Sequence, residues 1–173
     1  MTVVITDLQP AHWAAVADIY SEGIATGIAT FETATPSWEA WDQAHLPAPR
    51  LVASEAGRVL AWAAVSPVSR RAVYAGVAEV SIYVASRARG RGVGTQLLRA
   101  LVDASEVCGL WTLQAGIMAL NATSIALHEQ CGFRIVGTRE RIGKLGDAWR
   151  DTILMERRSN RVGVDAAAGN SRA

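Results

Sequence analysis

A chain of 173 residues has the length of one domain and can bury a substantial core. Hydrophobic residues make up 50%, charged residues 19%, and the net charge is +1, which marks a globular chain and offers no basic surface for nucleic acid or anionic membrane. No apolar run reaches the ~18 residues of a membrane span and the N-terminus has no signal-peptide pattern, so a cytoplasmic location is the simplest expectation. In chain order, Val3–Ile5 reads as a short strand with Asp7 as a cap or turn residue. Gln9–Ile24 follows as a helix with Trp13, Val16, Ile19 and Tyr20 on one stripe. A loop over 28–35 precedes a second short helix that starts at Pro36-Ser37, with Ser37 as N-cap, and runs through Trp38 and Trp41. Leu51–Ser54 and Arg58–Val65 read as a hairpin around Ala56-Gly57. The polar connection Pro67–Tyr74 leads into a central strand over Gly76–Val84. A helix over Thr95–Val107, a strand over Leu110–Ile117, a helix over Asn121–Gln130 with Ile125 and Leu127 inward, and strands over Phe133–Arg141 and Trp149–Arg157 complete the domain. Trp13, Trp38, Trp41, Trp62 and Trp111 read as core or interface. Cys108 and Cys131 have neither metal-ligand spacing nor a disulfide framework; each reads as a small buried hydrophobe, and no metal is expected. From Ser159 the apolar pattern stops, so residues 1–158 are expected to form the domain and 159–173 a poorly ordered tail.

The most informative stretch joins the central strand to the helix after it: Val80-Ser-Ile-Tyr-Val-Ala-Ser-Arg-Ala-Arg-Gly-Arg-Gly-Val-Gly-Thr95. Glycines let a backbone approach a ligand, and the first N–H groups of a helix lack internal partners, so such a turn can wrap an anionic diphosphate. Glycines at 90, 92 and 94 have the wrong spacing for a dinucleotide-binding fingerprint. A Walker loop is excluded because the only lysine is the distant Lys144. The remaining pattern, Arg89-x-x-Gly92-x-Gly94 after Ile82-Tyr83-Val84, resembles the coenzyme A loop of the GNAT acetyltransferases. That resemblance implies an acetyl-CoA site built from Ile82, Tyr83, Val84, Arg89, Gly90, Arg91, Gly92, Val93, Gly94 and Thr95. The element order β-α-α-β-β-β-α-β-α-β-β fits the same α/β fold, a mixed and mostly antiparallel sheet of about seven strands with helices on both faces.

Within that superfamily the chain most resembles the phosphinothricin and methionine sulfoximine N-acetyltransferases, over roughly residues 3–157. The residues that carry this are Thr30-Phe31-Glu32 with Pro36-Ser37, Tyr74, Glu79-Val-Ser-Ile-Tyr-Val84, Asn121, Leu127-His128-Glu129, Gly132-Phe133 and Trp149-Arg-Asp151. The resemblance implies acetylation of the α-amino group of a small amino acid or glutamate analogue, of the phosphinothricin, methionine sulfoximine or arsinothricin type, and a homodimer.

The chemistry needs a neutral amine, donors for the oxyanion and a stabilised thiolate. An α-amino group has a pKa of about 7.7–8.0, so a weak, well-placed base is sufficient. Glu79 stands on the central strand where the family places a carboxylate; a sheet-edge glutamate paired with an arginine is the bland alternative. By the same resemblance, backbone N–H groups near Ile82 would polarise the acetyl carbonyl and Val84 would pair with the pantetheine like an added strand. Asn121 is a cofactor contact, a helix cap, or both. His128 takes the place of the superfamily's common tyrosine, as a proton donor to the thiolate or as a packed helix residue. Arg70 and Arg71 are candidate partners for the acceptor's anionic group, against a solvated basic loop. Ser69 stands where the family has the first of two arginines. Phe31 and Tyr74 are candidate pocket walls, with Glu32 beside them. The segment Lys144–Trp149 is one residue longer than the family's usual turn, a change that can reshape the pocket or a dimer contact. Two other functions compete with this reading: a protein or peptide N-terminal acetyltransferase, and a non-catalytic acyl-CoA-binding module.

Overall fold

The computed structural model describes residues 2–164. Seven strands form one sheet in the order β1-β2-β3-β4-β5-β7-β6: β1 Val4–Asp7, β2 Arg50–Glu55, β3 Arg58–Pro67, β4 Val77–Val84, β5 Thr112–Met118, β6 Arg134–Leu145 and β7 Ala148–Arg158. Four α-helices accompany them: α1 Trp13–Ala25, α2 Trp38–Ala44, α3 Val93–Val107 and α4 Ala122–Gln130. The element order and the mixed sheet are those expected.

β3 is the spine. Val59–Val65 is buried throughout, because α3 packs on one face of the sheet and α1 on the other. The α3 face is aliphatic, with Leu97, Leu98 and Leu101 fully buried. Burying side chains of this size stabilises the fold by about 1.5–3 kcal/mol each. The α1 face is aromatic: Trp62 stacks on Tyr83 at 4.8 Å, Tyr20 lies 4.7 Å from Tyr83, and Trp41 meets Trp62 edge-on at 5.6 Å. α2 delivers Trp41 to that cluster. The Ser37 hydroxyl accepts from the Ala40 N–H to start the helix. Arg50 fastens its far end, pairing with Asp42 and donating to the Asp42, His45 and Leu46 carbonyls while its guanidinium lies over Trp41.

Several boundaries differ from expectation. Asp7 is inside β1, where it pairs with Leu51, and does not cap a helix. The first helix is preceded by a 3-10 turn over Pro10–His12. α3 begins at Val93, not Thr95, because Gly92 with φ 76° is itself the turning residue before the helix. On α4 the buried residue is His128, while Ile125 and Leu127 are only partly covered. Cys131 is buried but Cys108 is exposed: it is the residue at which α3 ends, not a core hydrophobe.

Residues 159–164, assigned to the tail, pack against the domain. The Ser159 hydroxyl donates to Glu106 at 3.0 Å and its N–H to the Trp111 carbonyl at 2.8 Å, while Arg161 pairs with Glu106 at 3.4 Å and Gly163 lies against the Trp111 ring. The rest of that segment, 165–173, lies outside the described residues.

Candidate active site

Among the described residues β4 and β5 are the only parallel pair, and they pair at three positions: Val77 with Thr112, Ala78 with Leu113 and Glu79 with Gln114. Beyond Glu79, β4 runs on to Val84 and β5 to Met118 without pairing to each other. The sheet is split there. A groove of about 700 Å³ lies along the Ile82–Val84 edge, between the glycine loop and α4. Arg89, Gly90, Gly92, Val93, Gly94 and Thr95 line one wall, and Asn121, Thr123, Ser124, Leu127 and Gln130 the other. Gly90 and Gly92 have φ of 74° and 76°, a left-handed backbone that glycine adopts without steric cost. They turn the chain into α3 so that the helix opens on the groove with its unpaired N–H groups and positive end. Gly94 packs against neighbours that share the groove: a Cβ there would lie 3.2 Å from Val84 Cγ2 and 3.4 Å from Leu127 Cδ2.

The opposite face of the sheet has a different chemistry. Glu79 projects from β4 at the last paired position, and Gln114 donates to its Oε2 at 2.8 Å. Its other oxygen leans over Gly116 of β5, 3.4 Å from where a Cβ would stand. A second bare position, Gly143 of β6, is covered by the Phe31 ring, whose carbons come within 2.8 Å of a would-be Cβ. Thus the 28–35 loop folds down onto the sheet with Phe31 as its contact. Burial raises the pKa of both Tyr20 and Tyr83, so the pair is neutral.

The expected residues fall into three groups. Ile82, Tyr83, Val84, Arg89, Gly90, Gly92, Val93, Gly94, Thr95 and Asn121 all line the groove, whereas Arg91 does not and pairs with Glu55 at 2.9 Å. Asn121 also caps α4, its Oδ1 accepting from the Ser124 N–H at 3.1 Å. Glu79 and Phe31 share the opposite face. Glu32, Arg70, Arg71 and Tyr74 are exposed; Arg71 lies over the Tyr74 ring at 5.5 Å, and neither arginine meets a carboxylate among the described residues. Glu79 is paired with a glutamine, not with the arginine of the bland alternative.

His128 stands apart. It is buried to 2% exposure, is not among the groove-lining residues, and packs edge-on against Phe133 at 5.0 Å. Its Nδ1 is 2.8 Å from the Ser124 carbonyl and so carries the proton, which leaves Nε2 as a bare acceptor. Burial lowers its pKa. A neutral ring in that tautomer accepts a proton at Nε2 and does not donate one there, so the geometry favours the packed-helix alternative.

Sequence reasoning missed the groove's outer contributors: Thr26, Ile28 and Ala29 after α1, and Thr123, Ser124 and Gln130 on α4. Thr123 and Ser124 follow Asn121 in the first turn of α4, and Gln130, 7 residues on from Thr123, shares the side of the helix that Thr123 faces. Nothing in the sequence marks the segment after α1.

A split parallel pair, a glycine turn into a helix and a groove between them are the features of an acyl-CoA transferase fold. The family model described as "Acetyltransferase (GNAT) family" matches residues 13–133, and the chain belongs to that family of N-acetyltransferases. It is 33% identical to the L-methionine sulfoximine/L-methionine sulfone acetyltransferase of Pseudomonas aeruginosa, over 90% of this chain and 94% of that one. It is 34% identical to the phosphinothricin N-acetyltransferase of Alcaligenes faecalis, over 84% of this chain and 77% of that one. Among solved structures it is similar to a GNAT superfamily phosphinothricin acetyltransferase from Sinorhizobium meliloti in complex with acetyl-CoA. There the TM-score is 0.85 and the identity 30%, with 98% of this chain and 95% of that one covered.

Proposed function

We propose that this N-acetyltransferase uses acetyl-CoA to acetylate the α-amino group of a small amino acid or glutamate analogue of the phosphinothricin or methionine sulfoximine type. One observation carries the reading: the Glu79 carboxylate sits at the last paired residue before the strands part, on the α1 side of the sheet, away from the glycine loop and α4. A thioester reaching through the split from the groove would meet an amine held on the other face beside that carboxylate.

Glu79, directly or through water, removes a proton from the ammonium; the freed nitrogen attacks the acetyl carbonyl. The oxyanion of the tetrahedral intermediate is held by backbone N–H groups near Ile82 on the unpaired edge of β4. Glu79 passes the ammonium proton to solvent; collapse breaks the C–S bond, the nitrogen's remaining extra proton leaves to water or to the regenerated carboxylate, and the coenzyme A thiolate takes a proton from solvent. Arg89 and the start of α3 hold the diphosphate, and Asn121 closes the other wall. The loop carrying Phe31 roofs the acceptor.

The test is a thiol-release screen of acetyl-CoA against phosphinothricin, L-methionine sulfoximine, L-methionine sulfone, arsinothricin, the common amino acids and short peptides. Acetylation of one or more amino-acid analogues is expected. A protein that acetylates only peptide N-termini, or binds acetyl-CoA and transfers nothing, would overturn the reading.

A further inference from the structure

The face that carries Glu79 also holds a guanidinium with no partner. Arg150 is half-buried near the start of β7; it makes no salt bridge among the described residues, and its Nε is fully buried without a hydrogen bond. Arg58, Arg70, Arg71, Arg139 and Arg141 also lack a carboxylate partner, but all of them are exposed and solvated. A buried N–H left unpaired is costly, and an anion bound to the guanidinium would offset that cost.

Its place is fixed by register. Along β7, Arg150, Thr152 and Leu154 alternate onto one face, and Thr152 and Leu154 stand opposite Met118 and Gly116 of β5. Gly116 is the residue over which Glu79 leans. Arg150 is therefore on the Glu79 face, four residues beyond Leu154, or about 13 Å along the strand. Directly across from it on β6 is Gly143, the bare position filled by the Phe31 ring. An aromatic ring and an unpaired guanidinium thus adjoin at the far end of a floor whose near end is the Glu79 carboxylate.

We infer that Arg150 binds the anionic end of the acceptor's side chain, so that the site selects amino acids carrying an acid group distal to the amine. The assignment rests on the function proposed above. An amine beside Glu79 and an acid group beside Arg150 set both the direction and the length of the acceptor. The guanidinium fork suits a phosphinate or carboxylate through paired N–H bonds.

Two acceptors of similar size separate this role from a structural one: phosphinothricin, whose side chain ends in an anionic phosphinate, and L-methionine sulfone, whose side chain is neutral. In Arg150→Gln the KM for phosphinothricin should rise roughly ten-fold or more, as for a lost charged hydrogen bond, while the KM values for L-methionine sulfone and acetyl-CoA stay put. Arg150→Lys is the milder variant; it keeps the charge without the fork and should show a smaller rise on phosphinothricin alone. Unchanged kinetics in both variants, or an equal rise on both acceptors, would overturn the assignment while leaving the proposed function standing. A wild-type protein inactive on every amino-acid analogue would overturn both.

Discussion

In the proposed mechanism Glu79 moves the amine proton and His128 takes no part. Glu79→Gln keeps the shape of the side chain and its contact with Gln114 but removes basicity. Its loss should fall on kcat and lie within the roughly 10²–10⁴-fold span of a general base. It should be largest at low pH, where free amine is scarce, and shrink as pH rises. A variant with wild-type kcat from about pH 6 to 9, the range flanking the amine's own pKa, would remove Glu79 from the mechanism. His128 contributes to stability instead. The unfolded chain protonates this ring near its ordinary pKa of about 6.5, whereas the buried ring resists protonation until lower pH. Folding therefore keeps the full benefit of the neutral ring above about pH 6.5 and loses it as pH falls through the window below. His128→Leu should flatten that part of the stability–pH curve in chemical denaturation; an unchanged slope would place the titration elsewhere, at His45, whose pKa burial also lowers.

At the scale of elements, the glycine loop was the part most legible in the sequence, because glycine spacing and the strand-to-helix change in periodicity are local signals. Ser37 as a cap and the Ala56-Gly57 hairpin were legible for the same reason. The proposed acceptor face was legible only in Glu79 and Phe31; Gly116, Gly143 and Arg150 join them through the β4-β5-β7-β6 strand order, which no local signal announces. Gly116 and Gly143 carry no positive φ to announce them; their use is the empty space they leave for Glu79 and Phe31. At the glycine loop, Gly94→Val should abolish or strongly weaken acetyl-CoA binding, since the added side chain drives into Val84 and Leu127 on both sides of the groove. Calorimetry on the folded variant checks this, and wild-type affinity would remove Gly94 from the cofactor site.

For the whole molecule, helical and strand periodicity were enough for the element order and the mixed sheet. The point at which β4 and β5 part could not be read, because Val80–Val84 is as apolar and β-branched as a fully paired strand. The docking of residues 159–164 was equally hidden: Ser159 and Arg161 look like tail residues until Glu106 and Trp111 are found beside them.

The split in the sheet also has a mechanical meaning. Strands β1–β4 and β5–β7 form two plates riveted along one short seam of three residue pairs, with the coenzyme groove where the next rivets would be. A pantetheine arm lying there would act as the missing length of strand and fasten the plates together. Hydrogen exchange should report this as sharply slower exchange for the seam-facing amides of 80–84 and 115–118 when acetyl-CoA is added, with little change in the β2–β3 hairpin. Slowing spread evenly over the sheet would mean that the seam already behaves as a closed joint. If the plates are fastened in this way, loading the first substrate also sets the relative position of Glu79 on one plate and Arg150 on the other, so the acceptor site reaches its working dimensions only once the coenzyme is in place.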